Sequence, residues 1–368
     1  MASLVGRRLA VDQGLVTLPM AIQMLGVMAG SIPAGVVFSR LGRRPGFWLG
    51  AALSAAGSLG FALGVWQGEF VVYCLAAIPA GMGFGISQHL RFAAAEVASA
   101  EARPRAIALV MAGGVVAAVL GPEIVKRTNM VLPDHQFLGT YMTLLVLPAL
   151  CAGLLVFVRV PATERRVALR LPLREIVARP TFGTAVVTGL VAYASMYLVM
   201  ASTPLQMALC GFGVGASADV IRAHSVAMYL PGFVTGRLIQ RFGAHPIILA
   251  GTAAIALCAL VDIGFNPFFG TFMVGLMLLG LGWNGMFVGA TAMLVTARDP
   301  AERVQVQATN DFIVFGTVAV TALVSGAIES TAGWAALNLA VVPGLVIAFA
   351  MVCWHMAARG GRQPILAE

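Results

Sequence analysis

Apolar residues run through this sequence in long unbroken blocks, without the strict alternation of a half-buried strand or the polar face of a soluble helix. Crossing about 30 Å of hydrocarbon takes a helix of roughly 20 residues. Eleven blocks reach that length, over approximately 15–38, 46–66, 70–92, 106–125, 137–158, 181–205, 218–239, 246–265, 268–296, 304–328 and 332–357. Charge clusters or Gly, Pro and Asn turns separate them. A transmembrane barrel would alternate apolar and polar positions, so the pattern predicts an all-α polytopic membrane protein. The longest polar stretch divides the chain into a bundle of five spans at 1–158, a linker at 159–180 and a bundle of six spans at 181–368. The first block is too long for a signal-peptide core and no small-residue cleavage site follows it.

Composition agrees with the pattern: 60% of the 368 residues are hydrophobic, 10% are charged and the mean hydropathy is +0.92. A soluble domain carries about 25% charged residues, so a soluble enzyme is excluded, as are a disordered chain and a disulfide scaffold. The net charge is +8. In a soluble protein that would suggest nucleic acid, but here the basic residues follow the topology. With the loop at 39–44 placed inside, 18 of the 23 Lys and Arg fall on the inner side and 5 on the outer. That bias predicts an inner-membrane protein whose linker and C-terminus are cytoplasmic, with the lipid bilayer and not nucleic acid as its partner. The five cysteines are widely separated, which supports neither a metal site nor a disulfide framework. No HExxH, GxSxG or Walker motif is present, so the chain is expected to be neither an enzyme nor nucleotide-driven, and to need no cofactor.

An internal repeat organises the spans. The loop after the first reads Gly35-Val-Val-Phe-Ser39-Arg40-Leu-Gly42-Arg43-Arg44-Pro45, and the loop after the seventh reads Gly236-Arg-Leu-Ile-Gln240-Arg241-Phe-Gly243-Ala-His245-Pro246. Gly, Arg, Gly and Pro coincide at an offset of 201 residues. Gly81-Met-Gly83-Phe is echoed by Gly280-Leu-Gly282-Trp283 at an offset of 199. A bundle duplicated in one chain is a common build for transporters.

The duplicated loop resembles the signature of the major facilitator superfamily of secondary transporters, with Ser39 where the family has Asp. The resemblance covers essentially the whole chain and implies twelve helices in two halves, eleven of which are present. Applying the repeat offset to the span 181–205 maps it to the extreme N-terminus and beyond, so the family's first helix is expected to be the missing one. The resemblance also implies that Arg40, Gly42, Arg43 and Arg44 form a gate with Gly35 and an acid in the place of Glu96. Gly236, Arg241 and Gly243 would form the second copy. It implies alternating access for a small organic solute, by a monomer. Gly121-Pro122 resembles the family's antiporter motif and tilts the reading toward efflux. An uptake permease for a nutrient or vitamin is the alternative, and a non-transporting receptor on the same fold belongs to another class.

Polar groups within hydrocarbon cost several kcal/mol unless partnered, so they mark candidate sites. Asp311 and Arg91 are the candidates for coupling to a proton. Tyr193, Tyr197, Trp283 and Asn284, with Gln88 and Asn310, are the candidates for solute binding, since an aromatic face beside an amide suits an organic ring.

Overall fold

The computed structural model describes residues 1–90, 93, 103–157, 175, 178–294 and 300–360, with the side chains of 31–36, 39, 41, 103–112, 300–305, 307, 308, 311, 359 and 360 left out. Every regular element among them is helical. The first half contains α1 (Ala2–Leu9), α2 (Leu18–Leu41), α3 (Arg43–Gln67), α4 (Phe70–Ser87), α5 (Arg103–Thr128), α6 (Leu138–Leu144) and α7 (Val146–Phe157). The second contains α8 (Pro180–Leu209), α9 (Val214–Tyr229), α10 (Gly232–Phe242), α11 (Ala244–Gly264), α12 (Phe269–Leu294), α13 (Pro300–Leu339) and α14 (Val342–Gly360).

Eight helical stretches among the described residues are long and apolar enough to cross a membrane. They account for nine of the eleven expected spans, because the stretch Phe312–Ala358 holds two of them, divided at Gly333, where φ is 78°. The expected span 106–125 lies partly outside the described side chains. The expected span 218–239 is broken into α9 and α10 at Leu230-Pro231, since Pro has no N–H to continue the ladder. Large apolar side chains stay exposed on the outer surface, such as Phe157 at 83% and Leu260 at 66%, as a protein solvated by lipid requires.

The two sequence echoes are two copies of one packing scheme. Gly42 ends α2 and opens α3 with φ 88° and ψ 164°, and Gly243 does the same between α10 and α11 with φ 85° and ψ 167°. A residue with a Cβ is strained at that φ, so glycine recurs at both turns. The second echo lies at helix crossings. A Cβ on Gly81 of α4 would press on the Gln23 carbonyl and stand 2.9 Å from Val27 N of α2. On Gly280 of α12 it would press on the His224 carbonyl and stand 3.0 Å from Met228 N of α9. Two residues on, Gly83 meets Gly50 O and Ser54 N of α3, while Gly282 meets Gly251 O and Ile255 N of α11. The partners 23 and 224, 27 and 228, 50 and 251, and 54 and 255 all differ by 201. In the first half α2 and α3, on either side of the turn, are both gripped by α4, and in the second half α9 and α11 are both gripped by α12, with α10 between α9 and the turn.

The seams between the halves repeat as well. Met28 of α2 lies beside Gly316 of α13, and Tyr229 of α9 lies beside Gly114 of α5. Met24 and Val27 of α2 pack with Val314, Val318 and Ala319 of α13. The turns at Gly42 and Gly243 share one end of the molecule, termed the loop face. The opposite end is termed the distal face.

Gly81→Leu is expected to cost about 3 kcal/mol or more, because backbone on both sides cannot retreat. Thermal unfolding in detergent and monodispersity on gel filtration measure this. Gly153→Leu is the comparison, since a Cβ there meets nothing within 4 Å, and it should leave both readouts unchanged.

Candidate functional site

Three of the expected solute-binding side chains converge. Tyr193 of α8 meets Trp283 of α12 edge to face, with ring centroids 5.1 Å apart. Phe287, one turn along α12, stacks on Trp283 at 4.9 Å and 18° and meets Tyr193 at 4.9 Å. Phe315 of α13 closes on Tyr193 at 5.8 Å, and Tyr229 of α9 meets Trp283 at 6.2 Å. Tyr197, one turn beyond Tyr193, packs with it and Phe315 against α2 at the seam between the halves. Besides the tyrosine hydroxyls, the cluster holds one buried polar group, the indole N–H of Trp283. Trp283 is 5% exposed and its indole Nε1 has no hydrogen-bond partner. An unmet buried N–H costs about 1–3 kcal/mol, which an acceptor on a bound molecule would relieve. Phe287 and Phe315 were not singled out in the sequence, although Phe287 lies four residues after Trp283 and so on the same helix face.

Asn284 sits beside this cluster but is engaged by protein. Its Nδ2 donates to the Met228 carbonyl at 2.8 Å, and its Oδ1 accepts from Thr235 Oγ1 at 2.6 Å. Met228 and Thr235 flank the break between α9 and α10, where the chain cannot satisfy its own carbonyls. The amide thus bridges the break and holds Tyr229, one residue from Met228, against Trp283. Gln88 caps the end of α4 on the loop face. Asn310 is buried within α13. Arg91 and Glu96 lie outside the described residues, as do the side chain of Asp311 and the surroundings of Gly35 on α2.

The duplicated loops engage their own halves. Arg44 donates to the Val156 carbonyl in the last turn of α7 at 2.9 Å and lies over the Trp48 ring at 5.0 Å. A cation there meets the negative end of the α7 dipole. At the matching place in the second half, His245 Nε2 and His355 Nδ1 of α14 are 2.8 Å apart. Arg43 is buried and lies 5.7 Å from the Phe38 ring centroid. Arg40 is exposed, and Arg241, also exposed, lies over Phe242 at 5.2 Å. Gly236 has open space where a Cβ would be.

The distal face is tied across the halves. Lys126 of α5 pairs with Asp219 of α9 at 3.0 Å, and Arg222 of α9 pairs with Glu123 of α5 at 3.2 Å. Each acid also holds a base of its own helix, Asp219 with Arg222 at 2.6 Å and Glu123 with Arg127 at 2.6 Å. On the other seam, Thr17 Oγ1, just before α2, donates to Leu323 O at 3.4 Å and accepts the Gly326 N–H at 3.2 Å. Both seams are thus closed on the distal face in this conformation. Asp219 and Arg222 are visible in the sequence as charges at a helix entrance, but their partners are more than 90 residues away.

Two outcomes follow from this geometry. Asn284→Ala is expected to destabilise by about 1–3 kcal/mol, because it leaves the Met228 carbonyl unmet, and thermal unfolding measures it. Lys126→Glu replaces an attraction with a repulsion at a partly exposed pair, worth about 1 kcal/mol or roughly five-fold in opening of the distal face. A cysteine placed at Val318 and labelled with an impermeant maleimide reads that opening, and adding Asp219→Lys should recover part of the change, since it also gives up the Asp219–Arg222 pair.

The model of the Major Facilitator Superfamily matches residues 1–230. The riboflavin transporter RfnT of Brucella anthropi is 38% identical over 98% of this chain and 91% of its own length. The MFS-type transporter YdeG of Bacillus subtilis is 26% identical over 92% of this chain and 82% of its own. Among solved structures, a D-xylose–proton symporter superposes with a TM-score of 0.70 at 14% identity, covering 92% of this chain and 87% of that one. With the fold, the repeat and these matches in agreement, the chain belongs to the major facilitator superfamily, as an all-α polytopic membrane transporter.

Proposed function

We propose that this protein takes up riboflavin or a closely related flavin across the inner membrane, by alternating access and with a proton as the coupling ion. The carrying observation is the 38% identity to a riboflavin transporter along 98% of the chain. That likeness favours uptake over efflux. The loop face is assigned to the cytoplasm by the 18-to-5 distribution of basic residues, so the distal face opens outward.

The aromatic cluster supports the same reading. A flavin presents a flat three-ring system edged with carbonyl and ring-nitrogen acceptors. Trp283, Phe287 and Tyr193 offer stacking and edge contacts, and Trp283 Nε1 offers an unused donor. Tyr197, Asn310 and Gln88 remain proposed as further contacts, and Asn284 acts by holding the wall on which Tyr229 stands.

The test is growth and flux. In a riboflavin auxotroph lacking its own importer, the gene should restore growth at low external riboflavin and raise the initial rate of labelled riboflavin entry. No growth and no entry, with the protein present in the membrane, would refute the reading. Trp283→Phe keeps the stack and removes the N–H, so riboflavin affinity should fall about ten-fold, or about 1.4 kcal/mol, as measured by quenching of flavin fluorescence on the purified protein.

A further inference from the structure

Glu329 lies in α13, four residues before the Gly333 kink. Both its carboxylate oxygens are buried and have no hydrogen-bond partner. Ser202 of α8 faces it, fully buried, with a hydroxyl that forms no hydrogen bond of normal geometry. Gly326, one turn back, is the residue whose N–H reaches Thr17 across the seam between the halves. Glu329 therefore stands one turn from the contact that seals α2 on α13, and a helical side chain leans back toward that turn.

Among the described residues, no base is at hand to pair with it. The elements packed on α13 are α8, α2, α11, α12 and the 3-10 turn Gln13–Leu15. Helices α8 and α12 contain no Lys, Arg or His. Helix α2 contains only Arg40 and α11 only His245, both at the loop face, while Asp262 of α11 contacts Cys258 and Gly275. Asp12 precedes the 3-10 turn, is exposed and accepts the Gly14 N–H. Cys210, at the end of α8, is the other titratable group beside Glu329. The Arg7 and Arg8 side chains of α1 are exposed, and Arg8 donates to Gln136. An ionised carboxylate sealed here without a cation is far costlier than the neutral acid.

We propose that Glu329 is the proton site of transport: ionised and hydrated while the α2–α13 seam is open, and sealed only after it has taken a proton from water on the distal side. The carboxylate oxygen gains that proton as an O–H, with Ser202 Oγ positioned to accept a hydrogen bond from it. The proton returns to water once the cavity opens at the loop face. The role of this proton in solute movement rests on the flavin-uptake reading, but closure of the seam can be read without any solute.

The test uses full-length protein in lipid vesicles, with the native cysteines replaced and a single cysteine at Val318, labelled from the distal side by an impermeant maleimide. With Glu329 present, the labelling rate relative to that of E329Q should rise several-fold from acidic to alkaline pH, and E329D should keep the rise. Identical pH profiles for the parent and E329Q would overturn the proposal. D311N is run beside them, and loss of the rise in D311N with its retention in E329Q would overturn it equally. A second arm imposes an inside-alkaline gradient on vesicles with riboflavin. E329Q should lose accumulation yet keep exchange within about two-fold of the parent, whereas accumulation equal to the parent's overturns the proposal. If the parent moves no riboflavin at all, the flavin reading fails, and the labelling arm still decides the role of Glu329.

Discussion

Close backbone contact between helices is the constraint on which this structure depends. Lipid is as apolar as a leucine side chain, so burial in the bilayer gives helices little reason to associate with one another. What remains is dense van der Waals packing, and glycine allows it by removing the side chain at the crossing. In each half, one helix carries two such glycines two residues apart and touches a different neighbour with each. The turns at Gly42 and Gly243 then determine how those two neighbours follow each other in the chain. Every other feature, from the seams to the aromatic cluster, is placed by these four contacts and two turns.

The second half departs from the first where the site is built. Both halves bring the same backbone positions together, but only the second interrupts the helix after them, at Leu230-Pro231. The interruption frees backbone carbonyls, and Asn284 satisfies one of them. Its neighbour Trp283 is thereby held among Tyr193, Tyr229 and Phe287. The first half has Phe84 at the place of Trp283, and Phe84 is exposed at 47%. The repeat supplies a scaffold with two equivalent places, and side-chain identity gives only the second an aromatic cluster.

Charge is used differently on the two seams. Between α5 and α9 it is placed at the distal surface, partly exposed and in pairs, where water keeps each pair weak and reversible. Between α2 and α13 the surface is sealed by a threonine and backbone, and an acid with a buried carboxylate lies beside that contact. A weak ionic tie on one side and an enclosed carboxylate on the other give the distal face two contacts with different sensitivities. Salt acts on the first and proton concentration on the second. In the gate loops, the described contacts of Arg44 lie within its own half, so that residue joins the loop to the end of α7.

Much of this was legible in the sequence, because it depends on short-range rules. Apolar blocks of membrane length define helices whatever they pack against. The repeated Gly, Arg and Pro positions marked the turns and crossings, since only glycine tolerates that backbone angle or that approach. Tyr193 and Trp283 could be chosen as cavity residues from their depth in their spans. What the sequence could not decide was which polar groups would be met. Asn284 hydrogen-bonds the carbonyl of Met228, 56 residues away at a break between helices, and no local pattern shows that partner. Glu329 lies one residue beyond the expected span 304–328, so depth in a span did not single it out. The group that faces it, Ser202 of α8, lies far from it in the chain. Helix tilt and crossing set those pairings to within a few ångströms, and no local pattern encodes a distance of that kind.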